Sequence, residues 1–399
     1  MLKEKIRQLA KQYAPETIDI RRHLHANPEL SYKEYQTSAF VQEKLKNLGI
    51  SFDVRATTGV IGIIKGNNPD SRVIALRADM DALPIKEENQ VPYKSRNEGV
   101  MHACGHDAHT SILLGASKIL QELKSEWEGT VKLIFQPGEE KNPGGASLLV
   151  KEGVLHNPQP QAIFGLHVHP GLETGKFSFR SGPSMASADE IYITVRGKGG
   201  HAANPHLTID TVLVASHIVI ALQQVISRNR NPFSPSVLTI SSFQGGYTTN
   251  VIPSEVKLMG TFRAMDESWR FQAHRLIQKI SKGVAQSMGA EIDVLIDVGY
   301  PVVINDEVLY PVARKKAEEF IGKENVQETE IRMGSEDFGY YTQEVPGCFF
   351  RLGVMNTARG IISGVHTPTF DIDESAIEKG MGMMAWFGTS IHDQQNKPQ

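Results

Sequence analysis

Three histidines, a cysteine and an aspartate fall within the stretch His102-Ala103-Cys104-Gly105-His106-Asp107-Ala108-His109. Thiolate and imidazole are the ligands that divalent transition metals prefer, and a Cys-x-His pair can reach one ion. From Gly105 to Leu123 the apolar residues Ile112, Leu113, Ala116, Ile119, Leu120 and Leu123 recur at three- and four-residue spacing, which predicts a helix. Cys104 and His106 then stand at its N-terminal edge, where amides and helix dipole favour anionic ligands. Taken alone, such a pair is more often an inert buried thiol beside surface histidines. Ligands supplied from elsewhere in the chain decide between the two.

The elements that must supply them are strands. Val60–Lys65 and Val73–Arg77 read as strands, and the apolar Val73-Ile74-Ala75-Leu76 suits a buried strand of a parallel sheet. It runs into Ala78-Asp79-Met80-Asp81, so both aspartates emerge at the carboxyl edge, where open α/β sheets hold ligands. Thr130–Phe135 delivers Gln136-Pro137-Gly138-Glu139-Glu140 in the same way, and Ala162–Leu166 delivers His167 and His169. With Gly364-Val365-His366 the edge set becomes Asp79, Asp81, Cys104, His106, Glu139, Glu140, His167 and His366. That exceeds the needs of one tetrahedral ion and suits two adjacent divalent ions, which can hold a hydroxide and polarise a carbonyl. Amide hydrolysis then needs no protein nucleophile. Glu140 would bind metal while Glu139 takes a proton from the water and returns it to the leaving amine. Without the other ligands, the two glutamates would read as a solvated loop.

The remaining chain divides around this set. At 399 residues it is long for one core and suggests two domains. Residues 2–48 read as two helices separated by Asn27-Pro28; His23 and His25, at i and i+2, point apart and read as structural or supporting. From Ser187 the order changes to strand Glu190–Val195, helix Thr208–Ser227, strands Val237–Ser242 and Val256–Arg263, helix Glu267–Met288 and strand Ala290–Asp297. This β-α-β-β-α-β order is that of a ferredoxin-like sandwich, inserted at 185–299 into a discontinuous domain of 1–184 and 300–399, with Gly182-Pro183 and Gly299-Tyr300-Pro301 as hinges. A helix to Ile321, a loop at Met333–Phe338 and a strand at Cys348–Leu352 resume the first pattern, and the polar tail Asp393–Gln399 is expected to fray.

The 42 Lys and Arg nearly balance the 45 Asp and Glu, so composition offers no basic field for nucleic acid or an anionic membrane. The charged start Met1-Leu2-Lys3-Glu4-Lys5 lacks a secretory core and no apolar run is read as a membrane span, which leads to the expectation of a cytoplasmic protein. Cys104 and Cys348 are then expected to stay reduced.

The motifs Leu76-Arg77-Ala78-Asp79-Met80-Asp81-Ala82-Leu83-Pro84, His102–Asp107, Gln136–Glu140, Gly199-Gly200-His201-Ala202-Ala203-Asn204-Pro205-His206 and Gly334-Ser335-Glu336-Asp337-Phe338 resemble, in order, those of the aminoacylase, hippurate hydrolase and auxin-conjugate hydrolase family. These are dimetal amidohydrolases related to exopeptidases. The resemblance implies a zinc-exopeptidase-like α/β/α catalytic domain with an inserted ferredoxin-like lid that also dimerises, giving a homodimer or dimer of dimers. It implies Cys104, His106, Glu140, His167 and His366 as ligands of two divalent ions, Glu139 as general base, and Asp81 as the aspartate that orients a ligating histidine. The wider superfamily's His-x-Asp is here Asp79-Met80-Asp81, which leaves the role of Asp79 and the metal open among zinc, manganese, cobalt and nickel. His201 matches a lid histidine that stabilises an oxyanion; Asn250 and Arg263 match positions that hold the substrate carboxylate. His206 is unassigned, and His217 reads as packed on the lid helix. The activity implied is deacylation of N-acyl-L-amino acids. A carboxypeptidase or dipeptidase on the same site is the alternative, and a non-catalytic metal- or carboxylate-binding protein a weaker one.

Overall fold

The computed structural model describes residues 1–391, so the tail read as frayed, Asp393–Gln399, lies outside the described residues. The chain forms two compact units. One comprises Met1–Gly182, Ile304–Glu330 and the chain from Asp337; the other comprises Pro183–Val303 and Ile331–Glu336.

The first unit is built on an eight-stranded mixed sheet in the order Ser51–Arg55, Gly59–Lys65, Thr130–Gln136, Val73–Asp79, Ala162–Glu173, Gly347–Met355, Phe177–Phe179 and Val326–Glu328. Its four central strands, Thr130–Gln136 through Gly347–Met355, are mutually parallel, with Asp79 opposite Gln136 and His167 opposite Arg351. Every residue of Val73–Asp79 and Thr130–Gln136 is buried, as a strand covered on both faces requires. Helices explain that cover. Adjacent Phe349 and Phe350 point to opposite faces; Phe350 meets Phe387 of helix Ala376–Ser390 at 5.2 Å between rings, while Phe349 meets Phe338, which precedes helix Gly339–Thr342, at 5.1 Å. Helices Leu2–Ala26, His106–Glu122 and Ala376–Ser390 pack on one another within one apolar core. The result is the α/β architecture read from the sequence, with the carboxyl ends of four parallel strands at one edge.

The second unit has a four-stranded antiparallel sheet in the order Ser236–Gln244, Glu255–Ala264, Asp189–Arg196, Glu291–Val298. With helices Thr211–Gln224 and Glu267–Ser287, this is the ferredoxin-like order. Two readings need correction here. The stretch Thr211–Asn229 is, by length and composition, apolar enough to cross a membrane (mean hydropathy 1.4), although Val214, Ala215, Ile218 and Leu222 pack into the unit's own core. His217 is exposed rather than packed, because helical spacing sets it on the outward stripe with exposed Leu213 and Ile220.

Candidate metal centre

The helix bearing the Cys/His motif begins at His106, and Gly105 before it has φ +84°, a backbone that side chains rarely adopt. A Cβ there would stand 2.5 Å from Val168 Cγ2. Glycine is therefore what lets Cys104 and His106 face the strand end carrying His167.

Around that point the donors converge. Cys104 Sγ lies 3.4 Å from His167 Nε2 and 3.3 Å from His366 Nε2, and His366 Nε2 lies 3.1 Å from Glu140 Oε1. Donors sharing one tetrahedral ion stand about 3.4 Å apart, from bond lengths of roughly 2.1 Å. The ligand atoms of Cys104, His106 and His167 fall within 4.8 Å of one another, as do those of Cys104, Glu140 and His366, and those of His106, Glu139 and Glu140. His366 comes from a distant loop, held by its amide on Ala103 O at 2.7 Å.

The tautomers follow from the partners. His167 Nδ1 donates to the Val168 carbonyl at 2.8 Å, so Nε2 keeps its lone pair toward Cys104. His106 Nδ1 faces Asp81 Oδ1 at 3.3 Å, while its buried Nε2 makes no hydrogen bond. Asp81 also accepts the amides of Glu139 and Glu140, each at 3.0 Å, and the Ser31 hydroxyl at 2.6 Å. One carboxylate thus orients a ring and fixes the turn carrying both glutamates.

Electrostatics ask for a cation. Burial opposes the imidazolium of His106, but Asp79 and then Asp81 outweigh it and raise its pKa to about 10. Burial, then Glu140 and Glu139, hold the Cys104 thiol well above its ordinary range. A divalent ion reverses that balance by stabilising thiolate and carboxylates together. The donor set fits such ions.

Asp79 finds a role. Its Oδ2 accepts from Arg77 Nη1 at 2.6 Å and its Oδ1 from His109 Nδ1 at 2.6 Å; His109 Nε2 in turn accepts the Val168 amide at 2.9 Å. Asp79, His106 and His109 approach closely enough to suggest a further ion group. With both His109 nitrogens engaged, we read Asp79 and His109 instead as the brace behind His167. Sequence reasoning left the role of Asp79 open and assigned none to His109 or to Asp107, whose Oδ2 accepts from Arg21 Nε at 2.7 Å and pairs with His25 Nδ1 at 2.8 Å. His25 is thereby a buried support, while His23 stacks on Phe40 at 4.4 Å. The motifs contained these residues, but no spacing distinguished brace from ligand.

The other expected residues lie in the second unit. His201 and Asn250 are exposed neighbours: His201 pairs with Val251 in a short ladder, and Ala202 N–H donates to Asn250 O at 3.0 Å. His201 Nδ1 accepts the Ala203 amide at 3.1 Å. Arg263 is partly buried on strand Glu255–Ala264 and donates through Nη1 to Ser335 Oγ at 2.9 Å. His206 is exposed on the turn Pro205–Leu207.

Residues 75–387 match the model of peptidase family M20/M25/M40. The chain is 42% identical over 306 residues to an N-acyl-L-amino acid amidohydrolase of Geobacillus stearothermophilus, covering 76% of this chain and 82% of the relative. It is 39% identical over 384 residues to thermostable carboxypeptidase 2 of Saccharolobus solfataricus, covering 95% and 96%. A Bacillus subtilis structure described as a dinuclear metal binding peptidase of the M20 family superposes with a TM-score of 0.81 at 33% identity, over 94% of this chain and 98% of that one.

Proposed function

We propose that this chain, which belongs to peptidase family M20/M25/M40, is a metal-dependent amidohydrolase that releases the amino acid from N-acyl-L-amino acids. The observation carrying this reading is the convergence of Cys104, His106, Glu140, His167 and His366 beside the buried Glu139. The Geobacillus relative's activity supports the substrate class.

Cys104, His106, His167, Glu140 and His366 would hold the divalent ions, in the two groups Cys104, His106, His167 and Cys104, Glu140, His366. Zinc suits a thiolate best, with manganese, cobalt and nickel also compatible with the imidazoles and carboxylate. Bound there, the ions supply Lewis acidity toward water and the scissile carbonyl. Glu139 takes the proton of the attacking water on its carboxylate and gives it to the departing nitrogen. Asp81 keeps both His106 and the Glu139–Glu140 turn in place during that exchange.

We assign His201 to the developing oxyanion: with Nδ1 accepting the Ala203 amide, its Nε2 is the donor. Asn250 and Arg263 take the substrate carboxylate, for which the planar guanidinium is suited. The exposed stripe Leu213, His217 and Ile220, and the open edge of strand Ser236–Gln244, support a homodimer through the second unit, singly or as a dimer of dimers. The buried thiols of Cys104 and Cys348, unpaired among the described residues, support a reducing compartment such as the cytoplasm.

A second reading, carboxypeptidase action by the same residues, is favoured by the Saccharolobus relative. Glu139→Gln tests the shared chemistry. It should bind metal normally yet lose roughly 100-fold or more in rate; a retained rate reassigns the base. Sedimentation should give about twice the 44.1 kDa chain mass, and a clean monomer removes the dimer.

A further inference from the structure

We infer that Glu34, with Tyr32, is a positioning residue that clamps the loop carrying the general base. The inference rests on the reading of Glu139 as that base.

Glu34 is fully buried at the start of helix Tyr35–Asn47 and is not a donor to the metal centre. Its Oε1 accepts the amides of Tyr32 and Gly138, each at 2.8 Å, and its Oε2 accepts the Thr58 hydroxyl at 2.8 Å. The next two amides, of Glu139 and Glu140, go to Asp81. Three consecutive amides of the catalytic turn are therefore held by two buried carboxylates from separate segments.

Tyr32 closes the other side. Gly138 has φ +56°, and a Cβ on it would stand 2.3 Å from Tyr32 Cε1, so the ring lies directly against the turn. The Tyr32 hydroxyl donates to Lys141 O at 2.5 Å and accepts the Gly144 amide at 2.9 Å. Together, Tyr32 and Glu34 grip the arc 138–144 at both ends. Because Asp81 holds the Glu139 and Glu140 amides and Glu34 holds that of Gly138, loosening Glu34 frees the end of the turn that leads into Glu139. The base should lose its aim while the ligands stay.

The conservative variant separates position from charge. In Glu34→Gln the amide oxygen keeps Tyr32 and Gly138, and the new NH2 meets Thr58 Oγ, whose hydroxyl can turn to accept. In Glu34→Ala the three donors lose their acceptor. On zinc-loaded protein, Glu34→Ala should lower kcat about 10- to 100-fold, the usual cost of an outer-shell partner, with bound zinc per chain and KM little changed. Glu34→Gln should restore most of kcat. Tyr32→Phe, which removes only the hydroxyl, should lower kcat in the same direction and serves if Glu34→Ala does not fold. An unchanged kcat in Glu34→Ala, an equal loss in Glu34→Gln, or an unchanged kcat in Tyr32→Phe overturns the clamp. Placed on Glu139→Gln, Glu34→Ala should cost little more; a full additional loss overturns action through Glu139. A Glu139→Gln protein keeping the parent rate instead overturns the base assignment itself, so the two failures are distinct.

Discussion

His109 stands between Asp79 and the backbone of Val168, giving its Nδ1 proton to Asp79 Oδ1 at 2.6 Å and taking the Val168 amide proton on Nε2 at 2.9 Å. The aspartate at the end of one parallel strand thereby fixes the strand that delivers His167. Arg77, through Nη1 to Asp79 and Nη2 to Asp337 Oδ1 at 2.9 Å, ties in a further loop.

Asp79→Asn should therefore destabilise the metal-free protein. It turns an NH2 toward Arg77 and leaves that buried guanidinium short of one charge, a change that costs about 3 kcal/mol for buried pairs. Urea unfolding of chelated protein measures it. A loss well under about 1 kcal/mol would show the brace to be unimportant.

Gly105→Ala should lower stability and metal content together. The positive φ costs about 1 kcal/mol for a residue with a Cβ, and Val168, next to His167, must move to admit it. Elemental analysis and thermal unfolding of the same preparation test this; full metal content with unchanged Tm would contradict it.

Removing metal should expose one thiol selectively. Cys104 is 7% exposed and sits among the donors, whereas Cys348 is 0% exposed inside the sheet. A thiol reagent should modify Cys104 before Cys348 in the folded chelated chain, mapped by peptide mass, and slowly, because burial and the two glutamates hold that thiol above its ordinary range; metal should protect it. Modification of Cys348 first would refute the arrangement.

The second unit should carry an acid-sensitive lock. Asp189 binds Arg270 Nη2 at 2.5 Å and His274 Nε2 at 2.8 Å, with Glu267 on the same arginine. Burial alone would raise the Asp189 pKa, but the hydrogen bonds from His274 and Arg270 outweigh it and lower it below 3.8. Its contribution is thus present above pH 3.8 and fades as pH falls toward the lower folded value. Asp189→Asn should be less stable at neutral pH and should flatten the acid limb of a stability-against-pH curve. An unchanged limb would count against the lock.

Much of this was legible in the residues themselves. Val73–Leu76 and Leu133–Phe135 announce parallel strands because burial on both faces leaves a run of consecutive apolar residues in each. Ser51–Arg55 escaped notice because an edge strand with two wet faces carries no such run. Helix Ala376–Ser390 escaped because Gly380, Gly382 and Gly388 depress helix propensity, although in the fold they admit Ile112, Phe320 and Val131 at close range. The donor residues were conspicuous by type. The roles of Glu34, His109 and Asp107 were not legible, because their work depends on which amide or ring the fold brings to them, and no local spacing encodes that.

The dimetal amidohydrolase reading is tested by amine release from N-acetyl-L-methionine by chelated protein, before and after resupply of zinc or manganese, with a dipeptide alongside. No release is expected without metal and restored release with it, greater for the acyl amino acid. Folded protein with metal bound that releases amine from neither substrate, or release that chelation does not diminish, would contradict it.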